Sequence, residues 1–154
     1  EEAYPDRPAL FPAGVTAMIF MRHWVERQLF PVIAPPVMLP LQDLLSADDQ
    51  AFFRKTREPR FGCTLEEFSN RDGGNLDRFN QVLEPMRASL RDQPFLGGEA
   101  PDYADYHAFG PFQWARCAAP DDLLEPDDPV YAWRERILGL FGGYAASAPC
   151  RVAA

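Results

Sequence analysis

Two histidines, three cysteines and three adjacent pairs of aspartates are the side chains here that could do chemistry, and their spacing supports none. His23 lies beside Trp24 and His107 beside Tyr106. Neither has a Cys or Ser neighbour placed to be a nucleophile, so both read as packing or surface residues. Cys63, Cys117 and Cys150 are scattered. With two histidines and no closely spaced cysteines, no zinc or other metal site is expected, and a reduced, cytoplasmic protein is the simplest reading. Asp48-Asp49 and Asp127-Asp128 stand at helix starts and Asp121-Asp122 in an acidic loop, where capping and solvation account for them. Gly97-Gly98 and Gly142-Gly143 lack the following Lys-Ser/Thr of a phosphate loop. No catalytic residue is assigned.

The chain of 154 residues carries a net charge of −8, which argues against nucleic acid and anionic membrane as partners, since both require a basic surface. A hydrophobic content of 47 %, with 12 Phe and 3 Trp, is enough for a packed core. The longest apolar stretch, Leu29 to Leu41, holds four prolines and is too short to span a bilayer.

The elements around these residues are helices. Pro94-Phe95-Leu96-Gly97-Gly98 stops one helix, and Asp102-Tyr103-Ala104-Asp105 starts the next. Asp102 is placed to cap the first turn, and Asp105, three residues on, to reach back to the Asp102 N–H, a capping box built from two aspartates. The apolar run from Tyr106 to Trp114 predicts a central helix, Tyr103 to about Ala118, kinked near Phe109 by Gly110-Pro111. Val15 to Phe30 has helical periodicity and an apolar arc wide enough to need cover on more than one side, with Pro31, Pro35 and Pro36 ending it. Ser46 opens a short helix to about Arg57, stopped by Pro59. Thr64-Leu65-Glu66-Glu67 is a second capping box, and opens a helix carrying Leu65 to Leu90, frayed at Asp72-Gly73-Gly74 and bent at Pro85. Asp128-Pro129 starts a last helix with Val130, Trp133, Ile137 and Phe141 on one face, ended by Gly142-Gly143. The sum is an all-α bundle of about five to six helices over residues 14–143. A proline-rich linker, 1–13, precedes it and a loose alanine-rich tail, 144–154, follows.

The Pro-Phe-Leu-Gly-Gly segment, the capped helix with Ala104-Asp105-Tyr106 and its ending Gln113-Trp114-Ala115-Arg116 resemble the C-terminal helical domain of glutathione S-transferases, most of all the bacterial β-etherase-like group. The opening Glu1-Glu2-Ala3-Tyr4-Pro5-Asp6 resembles the end of that family's thioredoxin-like domain. The resemblance implies that a thioredoxin-like N-terminal domain, absent here, binds the co-substrate glutathione and activates its thiol. It implies that this chain supplies the binding wall for a hydrophobic or aromatic small molecule, and much of a homodimer contact. By similarity the wall comes from Met18, Met21 and Val25 of the first helix and Gly110, Gln113 and Trp114 of the central one, with Asp102 and Asp105 structural. Met suits a wall that accepts varied apolar shapes, and the Trp114 indole adds a polar handle. The full protein would conjugate glutathione or cleave aryl ethers with it. The competing reading is a non-catalytic helical interaction module, with the apolar first helix as its docking face.

Overall fold

The prolines after Phe30 do not end the first helix. The computed structural model, which describes residues 9–12, 14–70 and 76–151, shows one continuous rod from Val15 to Asp43. It consists of α1 (Val15–Trp24), a π-helical turn (Val25–Leu29) and α2 (Phe30–Asp43), with Pro35, Pro36 and Pro40 inside α2. The π turn explains how the rod passes Pro31. A proline ring collides with the carbonyl four residues earlier in a regular α-helix. For Pro31 that carbonyl belongs to Arg27, inside the widened turn, where the Phe30 N–H bonds back to the Val25 carbonyl instead. Ile33, Ala34, Val37 and Met38 then bury the apolar side of α2.

The next helix, α3 (Ala47–Phe61), is capped by the Ser46 side chain and also passes its proline, Pro59. It stops two residues later because Gly62 takes a left-handed conformation (φ 69°) and returns its N–H to the Glu58 carbonyl. The Thr64 capping box opens only the short α4 (Leu65–Ser69). Arg54 of α3 ties the two together, bonding Glu66 at 2.6 and 3.0 Å and Glu58 at 3.0 Å. The fraying expected at Asp72-Gly73-Gly74 lies outside the described residues. Beyond it α5 (Leu76–Asp92) runs unbroken through Pro85, burying Phe79, Leu83, Met86 and Leu90 at helical spacing.

The central helix, α6 (Tyr103–Ala118), also continues past the expected kink with Pro111 in its interior. Last comes α7 (Pro129–Leu138), capped by Asp128 and ended at Gly139, earlier than the Gly142-Gly143 pair. A 3-10 turn, Leu140–Gly143, follows. Phe141 therefore does not extend the buried face of α7: it sits in a left-handed conformation (φ 52°), 80 % exposed, because the chain has already left the helical path. Trp133, fully buried, meets Phe109 and Phe112 of α6 edge-on at 6.4 and 5.9 Å. Arg87 of α5 bonds Asp128 at 2.7 and 3.0 Å, fixing the start of α7 against α5. The fold is all-α, with no strand among the described residues beyond an isolated bridge between Phe95 and Gly98.

Candidate functional site

The buried carboxylate of Asp105 organises the start of α6. One oxygen accepts the Leu96 N–H at 2.8 Å and the Trp133 indole N–H at 2.7 Å. The other accepts the Gly97 N–H at 2.8 Å and the Asp102 N–H at 3.1 Å. Asp102 completes the capping box by accepting the Asp105 N–H and also accepts the Ala104 N–H at 2.7 Å, and the Tyr103 N–H goes to the Leu10 carbonyl. Burial pushes the Asp102 carboxyl above its ordinary pKa, with the Asp105 charge adding to it. Gly97 is required by space, since a Cβ there would lie 2.7 Å from the Asp102 Cγ, and Gly98 by its φ of 103°. The segment from residue 94 to 105 is thus a connector that locks α5, α6 and α7 in register.

Between α6 and the first rod lies a cleft of about 430 Å³. Val25, Glu26 and Phe30 form the side contributed by the π turn and its exit. Tyr106, His107, Gly110, Pro111 and Trp114 form the α6 side. Phe30 and Trp114 stack at its rim, 5.5 Å apart and 10° from parallel. His107 stacks on Tyr103 at 5.3 Å and keeps its buried Nε2 without a hydrogen-bond partner. Glu26 draws Arg22 (3.9 Å) and His23 (3.7 Å) to the cleft's edge. Burial, and then the Asp105 and Asp102 charges, raise the Tyr106 phenol pKa, so its hydroxyl stays protonated and able to donate. The cleft can hold a flat apolar molecule and offer it an O–H donor.

Of the wall expected from the sequence, Val25, Gly110 and Trp114 meet in this cleft. Met18 and Met21 do not. They line a second, smaller cleft of about 280 Å³ with Trp24, Met86, Leu96 and Ala104. They lie a full turn or more before the π turn, on the side of α1 that faces α5. Gln113 lines neither cleft, and its Nε2 donates to the Ala145 carbonyl at 2.7 Å. Phe30, Tyr106, His107 and Pro111 were missed in the sequence. The available signal was Gly110-Pro111 in a helix otherwise built from large side chains.

Away from the clefts, Arg134 is 4 % exposed and makes a two-pronged pair with Asp122, both bonds 2.7 Å. Burial alone would raise the Asp122 carboxyl, but the Arg134 fork and the Leu124 N–H outweigh it and hold its pKa below the ordinary value. Among the described residues no group of three or more His, Cys, Asp or Glu could hold a metal ion. Among the same residues, no helix is long and apolar enough to cross a membrane.

The family model for the glutathione S-transferase C-terminal domain matches residues 17–134. The crystal structure of glutathione transferase GSTFuA3 from Phanerochaete chrysosporium is similar to this chain with a TM-score of 0.66 and 27 % identity, covering 95 % of this chain and 57 % of that one. GSTFuA2 from the same organism gives 0.66 and 26 %, covering 94 % and 57 %. The chain therefore spans little more than half the length of these transferases. With its matched region running from α1 into α7, the chain belongs to the glutathione S-transferase C-terminal domain family.

Proposed function

We propose that this chain is the co-substrate-binding half of a glutathione-dependent enzyme, and that the cleft between Val25–Phe30 and Tyr106–Trp114 receives an apolar aromatic molecule. The observation that carries the reading is the cleft itself. It is walled by stacked aromatic rings, and its lining holds no Cys, Ser, Thr or Lys. Glutathione, held by a thioredoxin-like domain, supplies the nucleophilic thiol, and this chain orients the electrophile. The β-etherase-like motif at residues 94–116 favours aryl ether cleavage or conjugation as the reaction.

The second cleft we assign to the thioredoxin-like domain. Leu10 bonds the Tyr103 N–H, so the chain enters next to Ala104, one of that cleft's own residues. Val15 and Ile19, which stand 62 and 46 % exposed on α1, we assign to a second copy in a cytoplasmic homodimer. The same exposed face favours the second reading, a non-catalytic docking module.

The test is binding of the dye anilinonaphthalene sulfonate, followed by Trp fluorescence. Phe30→Ala and Trp114→Ala each weaken it about tenfold, the equivalent of ~1.4 kcal/mol, while Met18→Ala leaves it within about twofold. Glutathione and 1-chloro-2,4-dinitrobenzene react no faster with this chain present. Joining a thioredoxin-like domain to it creates activity that Trp114→Ala reduces. Unchanged dye binding in both ring variants overturns the cleft assignment, and conjugation by the chain alone overturns the division of labour. A tight, stoichiometric protein partner with no dye site establishes the docking module instead.

A further inference from the structure

Cys117, near the end of α6, and Cys150, in the C-terminal tail, bring their sulfurs to 3.1 Å although they are 33 residues apart. Both are free thiols and half-buried. The Arg116 guanidinium donates to the Cys150 sulfur at 2.9 Å from Nη1, and its Nη2 reaches the Ala146 carbonyl at 3.4 Å. The Cys150 thiol also lies 3.1 Å from the Ala148 carbonyl. Gln113 holds the same tail through the Ala145 carbonyl, and Arg151 bonds the Pro40 carbonyl at 3.3 Å. The tail is thus laid along α6 by Gln113, Arg116 and Cys117, with Arg151 tying its end to α2 and the two sulfurs at the centre of the contact.

We propose that Cys117 and Cys150 form a reversible dithiol–disulfide pair that reacts with low-molecular-weight disulfides and, when oxidised, fastens the tail to α6. A disulfide bond is about 2.05 Å long, so the sulfurs have about 1 Å to close, within reach of small side-chain rotations. The two thiols differ in kind. Burial, and then the contact with Cys150, push Cys117 up to about 11, so it remains protonated at neutral pH. Cys150 has a fixed cation against its sulfur, where negative charge must sit during attack.

Cys150 therefore attacks first. Its thiolate displaces one half of a small disulfide RSSR, releasing RS⁻ and leaving Cys150–S–S–R. The Cys117 sulfur, adjacent to that bond, displaces the second RS⁻ as its own proton passes to solvent. The sum is one protein dithiol plus RSSR giving one protein disulfide plus two RSH.

The probe is oxidised glutathione added to the purified chain, followed by alkylation, intact-mass measurement and peptide mapping. The expected product has lost two hydrogens, carries a Cys117–Cys150 cross-link, and reverts with dithiothreitol. Cys117→Ser accumulates a mixed disulfide at Cys150 with the added mass of one glutathione, Cys150→Ser gives no cross-link, and Arg116→Ala slows the reaction several-fold. Circular dichroism of each variant checks folding, and wild-type mapping stands independently of them. A wild-type map with all three cysteines modified separately, or with Cys63 reacting ahead of Cys150, overturns the proposal. So does a mixed disulfide in Cys117→Ser that sits anywhere but Cys150.

Discussion

Replacing Asp105 by Ala tests whether the 94–105 connector depends on one carboxylate. The carboxylate is fully buried and accepts four N–H donors. The donors from Leu96 and Gly97 are only half-buried and can recruit water once the acceptor is gone. Those from Asp102 and Trp133 are buried and cannot. An orphaned buried donor costs about 1–3 kcal/mol, so the two together cost about 2–6 kcal/mol. A domain of this size is stable by roughly 5–15 kcal/mol, so a central loss of ~4 kcal/mol is a large fraction of the whole. Asp105→Asn gains little by being isosteric. Its amide turns two N–H donors toward the Gly97 and Asp102 N–H groups, which have none of their own to offer as acceptors. Urea unfolding followed by circular dichroism reads both variants. Trp133→Phe supplies the coupling, with the double variant Asp105→Ala/Trp133→Phe losing about 1.5–3 kcal/mol less than the two singles added. Losses under ~1 kcal/mol for Asp105→Ala, or strict additivity with Trp133→Phe, refute the claim that this carboxylate locks three helices.

Further outcomes are expected from the same geometry. Gly97→Ala, which forces a Cβ to 2.7 Å from the Asp102 Cγ and 2.8 Å from the Ala100 carbonyl, costs about 1–3 kcal/mol in urea unfolding. Asp122→Asn leaves the buried Arg134 cation with Glu135 as its remaining carboxylate and the Tyr131 ring beneath it, and costs about 3–5 kcal/mol. Because the folded Asp122 carboxyl lies below its ordinary pKa of 3.8, its stabilisation is present above that value. It is lost as the pH falls through the lower folded value, and a pH series of melting temperatures shows this slope shrinking in Asp122→Asn. Closing the 33-residue separation between Cys117 and Cys150 with a disulfide raises stability by about 4 kcal/mol on the chain-entropy model, read as a higher urea midpoint that dithiothreitol reverses.

The division between what the residues foretold and what they hid follows from the range of the interactions. The double-aspartate capping box, the Thr64 box and the Asp128-Pro129 start are legible because each is a short-range exchange between a side chain and backbone groups two or three residues away. Helix ends at proline were misjudged for the opposite reason. Whether Pro31 breaks a helix depends on whether the preceding turn can widen, and the widening of Val25–Leu29 is held by burial of Val25 and Leu29 against α5 and α6, which no local pattern records. The cleft between the first rod and α6 was half-legible on the same grounds. Gly110 and Trp114 are one turn apart on α6 and fall together on any helical projection. Met18 and Met21 were grouped with Val25 as if α1 were straight and faced a single neighbour. In fact Met18 and Met21 line a cleft with Pro85 and Met86 of α5, while Val25 lines the one against α6.

Under the proposed function, this displacement changes which residues tune selectivity. A regular helix would carry Val25 and Leu29 inward on one stripe and swing Phe30 about 100° away. The π turn keeps Val25 and Leu29 inward and still delivers Phe30 to stack on Trp114, closing the cleft from above. Width at the cleft mouth therefore depends on the extra residue in Val25–Leu29 as much as on the size of any lining side chain. Deleting Arg27, whose side chain is exposed, restores α-helical register while removing no cleft residue. The Phe30 N–H bond to the Val25 carbonyl then spans four residues, so Leu29 and Phe30 can no longer both keep their places, and Pro31 meets a regular turn. Dye affinity then falls at least as far as in Phe30→Ala, whereas Arg27→Ala leaves it unchanged. If the deletion variant folds with full dye affinity, the π turn is incidental to the site, and the wall is set by side-chain identity alone.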